Sequence, residues 1–219
     1  LDAFETFANQ AKCGVALFGD EENTHKLNVK TKHMFYGVNE DNDVYAKNIV
    51  EDTNGVSFDC YINKEYFGHF ELPFFGMHLL YNALGVITIA YMNGMDANTL
   101  QLAMSSFNGV KRRFNIEENG ENIYIDDYAH HPTAIKCTID AAKQKYPNRK
   151  LIAVFKPDRY SRIAYFLKDF APAFVGADEV YFCDFPDNQP KEEGINVTVE
   201  DLRAQVKDSV IIKEDDDSA

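Results

Sequence analysis

The sequence predicts an α/β protein in two parts, a first part of strands followed by helices and a second part built on a parallel sheet. Three observations carry that prediction. In "VSFDCYI" (56–62), Val56, Phe58, Cys60 and Ile62 alternate with Ser57, Asp59 and Tyr61, which is the period of two of a half-buried strand. From Met77 to Met92, Leu80, Leu84, Ile87 and Tyr91 recur at helical spacing. Beyond residue 110, strand-like and helix-like segments take turns, the order from which right-handed crossovers build a parallel sheet covered on both faces.

The elements follow in chain order. "GVALF" (14–18) is a short buried strand. After the alternating strand, Asn63-Lys64 forms a turn into "EYFGHFELP" (65–73), a hairpin that Pro73 stops. The segment Met77–Met92 is apolar nearly all round, which predicts a buried helix ended by Asn93-Gly94. A more amphipathic helix covers Ala97 to Phe107, and "NGVKRRF" (108–114) reads as a connector, dividing the chain into 1–110 and 111–219.

In the second part the order is strand "NIYI" (122–125), helix Thr133–Lys145, strand "LIAVF" (151–155), helix Ser161–Val175, strand "EVYFCDF" (179–185), helix Val199–Val206 and strand "SVIIK" (209–213). The first of these helices places Ile135, Ile139, Ala142 and Tyr146 on one side, as packing on a sheet requires. Pro172 is expected to kink or end the second. The acidic ending "KEDDDSA" (213–219) is expected to be solvated.

Bulk properties exclude several function classes. Hydrophobic residues make up 45% and charged residues 26% of the 219, an ordinary globular balance. A net charge of −13 repels phosphate backbones and anionic lipid, so neither nucleic acid nor membrane is an expected partner. Any anion must therefore meet a local basic patch, and two exist, Lys111-Arg112-Arg113 and Lys156 with Arg159 and Arg162. The four cysteines show no CxxC or zinc-type spacing, which fits a reducing cytoplasm without disulfides or a structural metal. The opening "LDAFETFANQ" lacks the basic start of a secretory leader, and the longest apolar run, "ALGVITIAYM" (83–92), is too short to span a bilayer.

Chemistry is expected where loops leave the carboxyl ends of parallel strands, because helix N-termini with unpaired N–H groups converge there. Asp126, Asp127, Tyr128, His130 and His131 follow the first strand of the second part, and Lys156, Asp158, Arg159 and Arg162 follow the next. One crevice would gather both groups. Arg159 and Arg162 stand three apart at a helix start and can converge on one carboxylate or phosphate, the alternative being two arginines lying over the sheet edge. Adjacent loop histidines rarely share a metal, so one of His130 and His131 is expected to face the cleft and the other to start the helix, with Pro132 in its first turn. Asp126 and Asp127 point opposite ways at the strand end, which leaves open which of them meets a ligand. "KRRF" is either a solvated linker or a clamp at a domain junction, and its position favours the clamp. His78 and Asn82 share a helix face at i, i+4, as a ligand pair or as incidental polar groups.

Taken together, "GMHLLYN" (76–82), "FNGVKRRF" (107–114), "IDDYAHHPTAI" (125–135) and "FKPDRYSR" (155–162) resemble the Mur ligase family, most of all its alanine-adding members. The resemblance implies the later part of a mixed-sheet, ATP-binding middle domain followed by a Rossmann-like C-terminal domain. It implies ATP-dependent amide formation with magnesium, joining L-alanine to UDP-N-acetylmuramate through an acyl phosphate. By position, His78 and Asn82 would hold adenine, and Arg113 and Asp127 would contact the rest of the nucleotide. Tyr128 and His130 would line the reaction cleft, with Arg159 and Arg162 gripping a carboxylate.

Several positions depart from the family pattern. Leu79 follows His78 where the family has asparagine, Asp158 stands where it often has histidine, and "CDFPDNQPKEEG" (183–194) diverges. No GxxxxGK[ST] occurs, so the β- and γ-phosphate cradle is absent from these residues. The chain is accordingly expected to be part of a longer ligase and inactive alone. The alternatives are a ligase of recycled tripeptide, which "HHPTAI" also resembles, a non-catalytic interaction module, and a regulator binding nucleotide through its second half.

Overall fold

The computed structural model describes residues 1–107, 109–186 and 194–212, and the chain divides into two compact units, Leu1–Asn108 and Gly109–Ala219. "KEDDDSA" and most of "CDFPDNQPKEEG" lie outside the described residues. No described helix is long and apolar enough to cross a membrane.

The first unit opens with helix α1 (Asp2–Asn9) and builds one sheet from β1 (Val15–Phe18), β2 (His33–Gly37), β3 (Val44–Asp52), β4 (Gly55–Ile62) and β5 (Glu65–Leu72), in that spatial order. β1, β2 and β3 run parallel, whereas β3, β4 and β5 are antiparallel, which makes the sheet mixed. The β4–β5 turn is tight because Asn63 and Lys64 both adopt left-handed backbone (φ 51° and 71°), the geometry that matches strand twist in two-residue hairpins. The period-two reading of β4 is met: Val56, Phe58, Cys60 and Ile62 are all buried. Sequence reading missed α1, β2 and β3. In β3 only Val44, Tyr45 and Ala46 are buried, and the polar remainder, bent by a bulge between Lys47 and Val50, shows no clean period.

Helices α2 (Met77–Met92) and α3 (Ala97–Ser105) close the first unit's core against Phe58, Phe70 and Leu72. α2 is not buried all round, as its composition suggested. Leu80, Leu84, Ile87 and Thr88 face inward, while Val86 and Ile89 are 55% and 43% exposed. The Thr88 hydroxyl is buried at no cost because it donates to the Leu84 carbonyl at 2.7 Å. Asp96 caps α3, its carboxylate accepting from the Thr99 N–H at 3.0 Å.

The second unit departs from the expected single parallel sheet. "NIYI" belongs to β7 (Asn122–Asp126), which pairs antiparallel with β6 (Asn115–Asn119) as a two-stranded ribbon, and not with the parallel strands. The cause is local: left-handed Gly120 (φ 61°) folds "ENGE" into a tight turn that returns the chain on itself. After α4 (Pro132–Lys145), a three-stranded parallel sheet forms from β8 (Ile152–Phe155), β9 (Glu179–Cys183) and β10 (Val210–Ile212), in the order β10-β9-β8.

The expected helix Ser161–Val175 is broken into α5 (Tyr160–Tyr165), one 3₁₀ turn (Leu167–Asp169) and α6 (Phe170–Ala173). Proline is the reason. In a continuous helix the Pro172 ring would strike the carbonyl of Lys168 and supply no N–H to it, whereas a restart at Phe170 puts the proline in a first turn, where both problems vanish. α7 (Val199–Gln205) begins with a capping box between Thr198 and Asp201.

Coverage of the sheet also differs from expectation. β8, β9 and β10 succeed one another in a single direction, so both right-handed crossovers land on the same face. Phe155, Val180 and Phe182 pack there with Ile135, Ile139, Ile163, Phe170 and Leu202. On the opposite face Ile152, Val154, Val210 and Ile212 remain 40–62% exposed.

Candidate functional site at the end of the β6–β7 ribbon

The connector and the loop after β7 are tied together by their backbones. The Tyr128 N–H donates to the Arg112 carbonyl at 3.0 Å, and the Phe114 N–H donates to Asp127 Oδ2 at 2.8 Å. These bonds hold two residues in left-handed conformation, Arg112 (φ 58°) and Phe114 (φ 54°), which a non-glycine residue adopts only when its surroundings compensate. Asp127 is thus committed to the connector through one oxygen, while its neighbour Asp126 is exposed.

The guanidinium of Arg112 lies over the Tyr128 ring, 4.5 Å from its centroid. Tyr128 in turn meets His130 nearly perpendicularly, with centroids 4.4 Å apart, and His130 lies 6.5 Å from the Phe155 ring at the end of β8. The two histidines divide their work as expected. His131 is the N-cap of α4, its Nδ1 accepting from the Thr133 N–H at 3.2 Å with Pro132 at the first helical position, and His130 faces the cluster.

Burial pushes the His130 imidazole below its ordinary pKa. Asp158 pulls it back up, Arg162 and Arg112 lower it, and Asp127 raises it. The ring is therefore neutral at pH 7 and can accept a proton. Its Nδ1 is buried without a hydrogen-bond partner among the described residues. A buried polar atom left in that state costs about 1–3 kcal/mol, a cost that a bound group could remove.

The loop after β8 approaches from the other side. Arg162, on α5, reaches Asp158 Oδ2 at 3.4 Å with both side chains about one-third exposed. Arg159 is the residue before α5 and sits in left-handed backbone (φ 62°). Tyr160 stacks on Phe185 at 4.0 Å, fixing the start of α5 against the chain leaving β9.

Of the residues singled out in the sequence, Asp127, Tyr128, His130 and Arg162 are brought into one neighbourhood, although the strand that delivers the first three is not in the parallel sheet. Arg112 and Arg113 are both exposed; the Arg113 backbone N–H is bonded to the Val110 carbonyl, and it is Arg112 whose guanidinium lies over Tyr128. "KRRF" pointed to this place, but a run of adjacent arginines carries no signal for which one meets Tyr128. His78, partly buried, and Asn82, exposed, lie one turn apart on α2 in the other unit. Among the described residues no three His, Cys, Asp or Glu side chains form a group able to hold a metal ion.

Comparison with known proteins places this geometry. The family model described as "Mur ligase, glutamate ligase domain" matches residues 112–219, and that of the Mur ligase middle domain matches residues 3–90. Among solved structures, a UDP-N-acetylmuramate-alanine ligase from Thermotoga maritima is similar at 25% identity and TM-score 0.71, over 91% of this chain and 43% of that one. A murein peptide ligase from Psychrobacter arcticus is similar at 22% identity and TM-score 0.64, over 97% and 50%. A folylpolyglutamate synthase from Thermotoga maritima is similar at 17% identity and TM-score 0.65, over 98% and 52%. The last two likenesses are of fold alone. The chain spans about half the length of the structures it resembles.

Proposed function

The chain belongs to the Mur ligase family, and on that premise we propose that it serves an ATP-dependent ligase joining L-alanine to UDP-N-acetylmuramate in peptidoglycan synthesis. The observation that carries the reading is the meeting of Tyr128, neutral His130 and Arg162 from the loops after β7 and β8. The 25% identity to an alanine ligase favours this amino acid over others. In this reading the substrate carboxylate attacks the γ-phosphorus of ATP and the bond to the ADP oxygen breaks, giving an acyl phosphate. The alanine nitrogen then attacks the acyl carbon, phosphate leaves, and the nitrogen loses its proton.

His130 is suited to receive such a proton because its ring is held neutral. Arg159 and Arg162 grip a carboxylate, with Asp158 keeping Arg162 oriented until it binds. His78 and Asn82 hold adenine, and Arg113 and Asp127 meet the remaining nucleotide. Magnesium would be held by the nucleotide phosphates, whose charge it would neutralise, because the described residues form no group of three His, Cys, Asp or Glu side chains able to hold the ion by themselves. The compartment proposed for this work is the cytoplasm.

Calorimetric titration of the chain with ATP and magnesium tests the nucleotide half of the reading. Saturable heat is expected, weakened about tenfold by Asn82→Ala through loss of a hydrogen bond to a base. Absence of heat, or an unchanged affinity in the variant, rejects it. In a complete ligase carrying this stretch, Arg162→Ala is expected to raise the KM for L-alanine far more than that for ATP. A second reading, ligation of a recycled tripeptide, is favoured by "HHPTAI". Turnover with tripeptide but not with alanine would select it.

A further inference from the structure

We propose that Arg112 is a positioning residue of this site: its guanidinium, laid on the Tyr128 ring, fixes that ring against His130 and so sets where the His130 Nδ1, which has no hydrogen-bond partner among the described residues, points. The inference rests on the reading of Tyr128 and His130 as the reaction cleft, but its geometry is independent of any ligand.

Three connections join Arg112 to the pair. Its carbonyl accepts the Tyr128 N–H at 3.0 Å, its guanidinium lies 4.5 Å from the ring centroid, and its neighbour Phe114 binds Asp127, the residue before Tyr128. Tyr128 is 47% exposed, so few side chains enclose it, and the Arg112 guanidinium lies over one face of its ring. A planar cation suits this task. Stacked on an aromatic face, arginine keeps its N–H donors directed sideways and free for an anion, whereas a lysine head would meet the ring as a point. Arg112 sits in left-handed backbone (φ 58°), and it is its side chain that lies over the Tyr128 ring.

The charged and titratable groups facing His130 come from three segments: Arg112 from the connector, Asp127 and Tyr128 from the loop after β7, and Asp158 and Arg162 from the loop after β8 and the start of α5. Removing Arg112 alters two things at once, the orientation of Tyr128 and one positive charge near the imidazole. Lysine and glutamine substitutions separate them.

Nuclear magnetic resonance of the six histidines in this chain reads both. Arg112→Gln is expected to raise the proton affinity of His130 by about threefold, the order expected on losing one nearby unit positive charge in a water-like medium. It should also weaken the Tyr128–His130 nuclear Overhauser effects. Arg112→Lys should leave the titration near that of the unsubstituted chain yet still weaken those effects, and Arg113→Gln should change neither. A purely structural role would lower the melting temperature of Arg112→Gln while leaving both the His130 titration and the ring contacts in place, and that result overturns the proposal. Should Arg112→Gln not fold, the unsubstituted chain decides, because absence of Overhauser effects between the Arg112 side chain and the Tyr128 ring overturns it equally. Failure of ATP to bind would reject the proposed function without touching this result.

Discussion

His130 combines burial, aromatic packing and four nearby charges, and the balance leaves its pKa below the ordinary value for histidine. The consequence for stability has a definite sign. Below about pH 6.5 the unfolded chain binds a proton at this position that the folded chain resists, so stability falls as pH drops through that value. Replacing His130 with glutamine should therefore narrow the gap between urea midpoints measured at pH 7.5 and pH 5.5, whatever it does to stability at neutral pH. An unchanged gap would mean that the imidazole is as solvated in the folded state as in the unfolded one. At the same scale, the division of labour between His130 and His131 was legible beforehand, because a proline at position 132 makes the preceding residue a helix cap. The choice between Arg112 and Arg113 was not legible, since it is made by contact with a loop distant in the chain, where the Tyr128 N–H meets the Arg112 carbonyl and the Tyr128 ring its guanidinium.

Among the elements, the parallel sheet of β8, β9 and β10 offers the sharpest contrast between its two faces. Phe182 is fully buried, whereas Val154, on the adjacent strand and the opposite face, is 62% exposed. Phe182→Ala is expected to cost about 3–5 kcal/mol, read as a lowered urea midpoint, and Val154→Thr less than about 1 kcal/mol. Comparable losses from the two would mean that something covers the second face in solution. Apolar residues alternate in β9 and show that one of its faces is buried. The composition of a parallel-strand protein suggested cover on both faces, and only the strand order, with both crossovers on one side, shows otherwise. A similar limit applied to β7, whose apolar alternation identified a strand without its neighbour. The Asn119-Gly120 pair was the available signal for the hairpin.

At the scale of the whole molecule, each unit has a core made from its own residues, 34–104 in the first and 129–211 in the second. Cys60 sits in the first core with its thiol pushed up to about 12 by burial, while Cys13 is exposed. A thiol reagent should accordingly label Cys13 at once and Cys60 only when the first unit opens. Leu84→Ala should accelerate the labelling of Cys60 by lowering the free energy of that opening. Equal labelling rates at the two cysteines would contradict the burial of β4. What the sequence by itself determined was the two-part α/β plan, the hairpin at Asn63-Lys64, the helix Met77–Met92 and the clustering of titratable groups after β7, because periodicity, turn chemistry and capping act within a few residues. What only the tertiary structure decided was which strands pair, which sheet face is covered and which arginine meets Tyr128. Those outcomes are set by contacts between segments distant in the chain and by backbone conformations that a residue adopts only when its neighbours in space compensate for them.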